Sequence, residues 1–297
     1  MLACSANAQL NPIPQASGFS GNATLGIVTN DIASSFYQID DADRIDGLDA
    51  PDNEEVYTAL ALVDFRYTLE GGRTQFTLGT QIHDALFLDY TQQLSVRHRV
   101  DNVGIMSLGV VFNGLMQPDT WADPYLTNAA REDTDRSSRG LRAGWESILN
   151  SNFSVDATYR KIEIDNEESG SALPLLTANE RDMLDRNGAT SQVNASYYWK
   201  LSPRLFLIPA VIVGRNALDG SAVSCDSAGA KLDIGYQDGV NIVTVGLYAG
   251  QSTYDEGHPV FANTKADSSE FVGGVSYIRR NFFGQKHWAS VVNLAYG

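Results

Sequence analysis

Tyr57, Ala59, Ala61, Val63, Phe65, Tyr67 and Leu69 fall at every second position, with Asp64, Arg66, Thr68 and Glu70 among the residues between them. A period of two sends successive side chains to opposite faces, as an extended strand does. Gly71-Gly72 then supplies a turn, and Phe76, Leu78, Thr80 and Ile82 resume the alternation against Gln75, Thr77, Gln81 and His83. The two segments predict a hairpin with one apolar and one polar face. The same unit recurs at 91–100 with 103–113 around Asp101-Asn102, and at 139–149 with 153–164 around Asn150-Ser151-Asn152. It recurs again at 189–201 with 205–214 around Ser202-Pro203-Arg204, and at 229–237 with 240–252 around Asp238-Gly239. Segments 18–32, 55–70, 73–83, 270–280 and 288–296 bring the predicted strands to thirteen.

The connections sort into two kinds. Hairpin turns are short and polar, whereas 33–54, 114–138, 165–188, 215–228 and 253–269 are long and rich in Asp, Asn, Ser, Gly and Pro, with 84–90 the one shorter member. A soluble sandwich has no reason to place all its tight turns at one end. A transmembrane up-and-down antiparallel β-barrel does, with short turns in the periplasm and long loops outside. Tyr67, Trp145, Phe153, Tyr197, Trp199, Tyr236, Tyr277 and Trp288 all lie on the apolar parity close to a short turn, where an interfacial girdle belongs. Single-chain bacterial barrels have even strand numbers, so about 14 strands are expected, with a closing strand beyond Gly297; twelve, with 18–32 miscounted, is the alternative.

Composition removes other classes. A formal net charge of -15 disfavours nucleic acid as a partner. Apolar runs fall short of the roughly 18 residues of a membrane helix, and FLIPAVIVG is itself interrupted by Pro209. Two cysteines exclude a disulfide framework. Ala6-Asn7-Ala8 is a small-x-small cleavage site, so residues 1–8 are expected to be the remnant of an export signal, 9–17 a periplasmic segment and 18–297 the barrel. A lipobox around Leu2-Ala3-Cys4 is the alternative reading of the same stretch. Cys225 would then be a lone thiol in a loop, with no histidine pattern to activate it.

The six predicted outer loops hold 25 acidic and 7 basic residues, leaving 11 acidic and 14 basic in the strands and turns. The acidic imbalance therefore lies outside the membrane. It suits a lipopolysaccharide leaflet bridged by divalent cations as well as it suits a merely solvated loop. The run Asp40-Asp41-Ala42-Asp43-Arg44-Ile45-Asp46-Gly47 has the flavour of a calcium loop but misplaces its ligands relative to the glycine, so no metal site is predicted. On the strands, the polar parity carries Asp64, Arg66, Arg97, Arg99, Arg142, Glu146, Asp156, Arg160, Lys231 and Asp233, which are expected to line the lumen. They could be a lattice of Arg–carboxylate pairs bracing the wall, or a charged constriction that sorts solutes.

No catalytic constellation is found. His83, His98, His258 and His287 share no nucleophile or metal spacing, and only His83 stands on the lumen parity near an outer loop. The sequence predicts neither an enzyme nor a cofactor.

Residues 121–145, WADPYLTNAAREDTDRSSRGLRAGW, together with SGFSG at 17–21 and ERDMLDRNG at 180–188, resemble a known family. It is a family of uncharacterised outer-membrane barrels of Gram-negative bacteria catalogued as a domain of unknown function. The resemblance covers nearly all of 12–297 and implies an outer-membrane barrel with no assigned activity. In that motif Trp121, Asp123, Tyr125, Arg131, Asp133 and Arg136 mix rigid aromatics with both signs of charge, which predicts a surface loop of fixed shape. Such a loop could cap the rim, narrow the mouth or face outward as a recognition surface. The function expected from all this is a passive channel for small polar or charged solutes. The alternative is a non-conducting surface barrel whose acidic loops bind a partner or lipopolysaccharide.

Overall fold

The computed structural model describes residues 12–32, 44–48, 54–81, 91–114 and 119–296. The strands, in chain order, are β1 (Gly18–Ile32), β2 (Glu54–Thr68), β3 (Thr74–Gln81), β4 (Thr91–Val100), β5 (Gly104–Asn113), β6 (Thr120–Trp121), β7 (Asp133–Thr134) and β8 (Arg136–Glu146). They continue as β9 (Phe153–Ile164), β10 (Gly188–Tyr197), β11 (Trp199–Lys200), β12 (Leu205–Leu218), β13 (Cys225–Gln237), β14 (Asn241–Tyr254), β15 (Ser268–Arg280) and β16 (Ala289–Tyr296). All but β6 and β7 form one 14-stranded sheet in which each strand pairs with its sequence neighbours. β11 continues β10, because Ser196 faces Ala210 and Trp199 faces Leu207 in one unbroken register. The break between them lies beside Pro209, which has no N–H to give to a ladder. Thirteen strands therefore traverse the sheet, and β6 and β7 form a separate two-residue ladder in an outer loop.

The turns follow from their residues. Asn102, Gly71, Gly72 and Gly239 all take positive φ, the conformation that asparagine and glycine tolerate best. Asp238 fastens its turn by accepting the amide protons of Val240 and Asn241 at 3.0 and 2.7 Å.

Burial decides which solvent each face meets. Leu25, Phe65, Leu108, Leu141, Tyr159, Val211 and Phe271 are exposed on one face, while Gln75, Ser95, Arg97, Lys231, Asp233, Thr244 and Ser276 are buried on the other. A soluble sandwich would reverse this. Apolar files pointing out of a polar-lined sheet are stable only against hydrocarbon, and the fold is a transmembrane antiparallel β-barrel. The girdle aromatics Tyr67, Phe153, Tyr197, Trp199, Tyr236 and Trp288 are exposed near the short turns. Trp145 instead spends its indole N–H on the Val103 carbonyl at 2.9 Å, and Tyr277 its hydroxyl on Asn241 at 2.8 Å. Among the described residues no helix is long and apolar enough to cross a membrane, so the strands make the crossing.

Three sequence expectations are corrected. The segment 215–228 is mostly strand: β12 runs to Leu218 and β13 begins at Cys225, leaving only 219–224 as loop. Its Gly, Ser, Ala and Asn content reads as loop, but the cross-strand ladder from Arg215–Asp226 to Asn216–Cys225 overrides weak propensity. Cys225 is consequently a buried strand residue whose sulfur accepts from Asn216 Nδ2 at 3.5 Å. Arg136, expected in the surface loop, opens β8 opposite Ile164. The candidate cleavage site at Ala6-Asn7-Ala8, Cys4, His83 and the acidic run Asp40 to Asp43 lie outside the described residues.

Candidate functional site

Two regions gather polar chemistry: the inner wall and a crown of outer loops. On the inner wall most of the charged residues stand in matched pairs. Arg66 grips Asp64 with Nε on Oδ1 at 2.8 Å and Nη2 on Oδ2 at 2.6 Å. Because the two are separated by one residue, they share a face of β2 and meet along the strand. Lys231 and Asp233 repeat the device on β13 at 3.0 Å.

Arg97 works across strands. It reaches from β4 over β5 to Glu146 on β8, with Nε to Oε1 at 3.1 Å and Nη2 to Oε2 at 2.8 Å. Ser107 and Gly144 stand directly in that row, and a small side chain at one and none at the other leave room for the guanidinium. The third donor, Nη1, takes Gln75 Oε1 at 2.8 Å, and Gln75 Nε2 takes Thr68 Oγ1 at 3.1 Å. One chain of hydrogen bonds thus runs from β2 to β8. A second crosses β8, β9 and β10, where Arg142 donates to Asp156 and Asn194 Nδ2 donates to the other Asp156 oxygen at 3.0 Å. Arg160 donates to Ser138 at 3.4 Å. Among the described residues Arg99 meets no carboxylate and donates to the backbone carbonyl of Ile13, at 2.8 Å, which brings residues 12–17 against the turn end of the wall.

The crown is knitted from loops far apart in sequence. Asp123 is its main tie: Oδ1 accepts the amides of Tyr125 and Gly170, and Oδ2 accepts the amide of Ala172 and the hydroxyl of Ser171. The loop 119–135 is so joined to 165–187. Arg186 locks the same joint from the other side. It pairs with Glu167, both side chains 9% exposed, and donates to Thr120 Oγ1 at 3.0 Å and to the carbonyls of Trp121 and Ala122 at 2.7 and 3.1 Å. Burial raises the Glu167 carboxyl above the ordinary carboxylate range, although Arg186 pulls it down.

Apolar packing completes the crown. Tyr125, Leu184 and Ala222 form a buried cluster, and Leu48, Leu173, Leu176, Met183 and Val260 pack around it. Arg131 lies over the Trp121 ring at 4.2 Å from its centroid. Asp133 sits in β7 opposite Trp121 and is exposed. The short helix Ala178–Asp182 is begun by a capping box, with Thr177 and Glu180 each bonding the other's backbone.

Of the loop residues singled out in sequence, the structure brings Trp121, Asp123, Tyr125 and Arg131 together and leaves Asp133 and Arg136 at the edge. Sequence reasoning missed Arg186, Glu167 and His258. Arg186 and Glu167 are a signal in hindsight only as charges inside loops that also carry leucines, since a purely solvated loop needs none.

Among the described histidines, His258 is the buried one. It is 6% exposed, its Nε2 lies 2.9 Å from the Tyr125 hydroxyl, and its buried Nδ1 has no hydrogen-bond partner among the described residues. Burial holds it below the ordinary imidazole value and pushes the Tyr125 hydroxyl up. Above the ordinary value of 6.5 the imidazole is neutral folded or unfolded. As pH falls through that value an unfolded crown takes up a proton that the folded one refuses, so crown stability declines on acidification. Protease nicking of the outer loops is therefore expected to rise between about pH 7.5 and about pH 5.5 more steeply in the natural protein than in His258→Gln, which keeps a partner for Tyr125 but does not titrate. Parallel profiles would show that His258 is not the group concerned.

Among the described residues no three His, Cys, Asp or Glu side chains gather in a way that could hold a metal ion. A family model described as protein of unknown function (DUF2860) matches residues 18–297. The chain belongs to that family. No curated protein matches it. Among solved structures, this DUF2860 barrel is similar to a Pseudomonas aeruginosa FadL homologue at 12% identity, with 94% of this chain and 79% of that one covered and a TM-score of 0.42. It is similar to OmpT, an outer membrane protein of Vibrio cholerae, at 12% identity, covering 86% and 76%, with a TM-score of 0.37. A porin matches at 13% identity over 94% of both chains, with a TM-score of 0.32.

Proposed function

We propose that this barrel is a passive channel of the bacterial outer membrane, passing small polar or charged solutes. The observation that carries the reading is the charge-bearing inner face of a sheet with thirteen crossings, where paired charges, Gln, Ser and Thr stand beside a few buried apolar residues such as Phe206 and Ile208. Barrels of about 8 strands are filled by their own side chains and those of about 16 hold water, so this size with this lining favours a narrow aqueous path. The Arg66, Arg97, Arg142 and Lys231 charges are each spent on a neighbouring carboxylate. Solutes would therefore meet paired charge, and the expected filter is weakly selective rather than a ring of one sign.

Planar-bilayer recording of the full-length protein tests this. Unitary conductance is expected, with reversal potentials showing little preference between small anions and cations. A sealed bilayer that remains sealed after residues 122–132 are trimmed would sink the channel.

The crown favours a second reading, a non-conducting surface barrel whose rigid acidic loops contact lipopolysaccharide or another surface partner. Loops with their own apolar cluster and buried ion pair have a fixed shape, as a recognition surface requires. That reading predicts a sealed bilayer and a deletion strain with a weakened envelope but normal solute uptake.

A further inference from the structure

The segment 12–17 belongs to no strand, yet Ile13 is 2% exposed. Its carbonyl is held by Arg99, which shares the inward face of β4 with Arg97, so Ile13 lies on the lumen side of the wall. Five residues later Gly18 is already paired with Thr68 at the start of β1. The chain therefore passes from inside the barrel to its wall at the turn end. The β2–β3 turn packs against the same segment. A methyl group built on Gly72 would lie 2.8 Å from the Gln15 Cα and carbonyl oxygen and 2.9 Å from the Pro14 carbonyl oxygen. The inward residues nearest this turn, Thr68, Gln75 and Arg97, are all buried. The sequence Pro12-Ile13-Pro14 suits such a post, because each proline fixes φ and biases the residue before it toward extended backbone, so little chain entropy is lost on seating it.

We propose that residues 12–17 form a tethered plug in the turn-end mouth, seated by Arg99 and Gly72, and that unseating it widens the conducting path. The proposal rests on the channel reading and names the element that sets its conductance.

The two glycines of one turn provide the test. Gly72 has φ 62 and touches the segment, whereas Gly71 has φ 87 and would meet nothing within 4 Å. Asparagine tolerates positive φ, so Gly72→Asn adds bulk against Gln15 while Gly71→Asn adds the same bulk to open space. Each change, and Arg99→Ala, is made in the full chain and read in two ways. One is single-channel conductance. The other is labelling of Ile13→Cys by a bulky maleimide in a background with Cys4 and Cys225 replaced by serine.

The expected result is a several-fold larger conductance and fast labelling for Gly72→Asn and Arg99→Ala, with Gly71→Asn like the parent in both. Equal labelling in parent and variants would show that the segment is not seated and overturn the plug. Faster labelling with unchanged conductance would show a seated segment that blocks nothing, overturning the plug while leaving the channel intact. If neither parent nor variants conduct, the channel reading falls and the plug with it.

Discussion

Arg186→Ala is expected to accelerate hydrogen exchange at the crown amides of Gly170, Ala172 and Ala222 by roughly two to four powers of ten, while the strand amides keep their protection. The magnitude follows from what the side chain leaves behind. Glu167 loses the charge that offsets its burial, Thr120 and the Trp121 carbonyl each lose the Arg186 donor, and the Ala122 carbonyl is left with the Glu168 amide at 3.0 Å. Breaking a buried ion pair by removing one partner costs about 3 to 5 kcal/mol, and each 1.36 kcal/mol is about tenfold in an opening equilibrium. Burial already raises the Glu167 carboxyl and Arg186 pulls it down, so removing Arg186 shifts the acid further toward its neutral form, which limits the loss. Glu167→Gln combined with Arg186→Met should recover only part of the protection. It removes the unpaired charge but does not restore the donor that Arg186 gave to the Trp121 carbonyl. Unchanged exchange at Gly170 and Ala172 in Arg186→Ala would mean that Asp123 alone holds the joint.

The crown was also the part least legible in sequence. Strand positions, their faces and the short turns are written in a local code: Tyr57 to Leu69 alternate because each residue is fixed by its immediate neighbours, and Gly71-Gly72 or Asp238-Gly239 can do little else but turn. The loop contacts have no such code. Arg186 reaches Trp121 across 65 residues and Tyr125 reaches His258 across 133, with no period linking either pair. Charge pairing on the wall lies between these cases. Asp64 with Arg66 and Lys231 with Asp233 are legible as neighbours on one face. Arg97 with Glu146 is not, because it depends on which strand lies two places away and on the small Ser107 and Gly144 between them. The error at 215–228 has the same root: propensity describes one chain segment, whereas β12 and β13 extend past the loop boundary through the hydrogen bonds they give each other.

The alternation that organises the fold also makes its sharpest stability prediction, on two adjacent residues of β10. Val193 is 40% exposed on the apolar face, and Gln192 points to the inner wall beside Thr158 and Gly214. Both sit near the middle of the strand, so they share a depth and differ in the medium they meet. Val193→Arg carries a guanidinium into hydrocarbon and is expected to cost about 2 to 4 kcal/mol, whereas Gln192→Arg, in a polar lumen with Asp156 on the neighbouring strand, is expected to cost about 1 kcal/mol or less. Reversible denaturant unfolding in lipid vesicles reads the difference as a lower midpoint at constant slope for Val193→Arg alone. The order cannot be rescued by helix or loop rearrangement, because a register slip of one residue would carry every other outward side chain of β10 inside with it. If the two variants unfold alike, or Gln192→Arg is the weaker, the apolar files do not face lipid and the barrel is packed against something else.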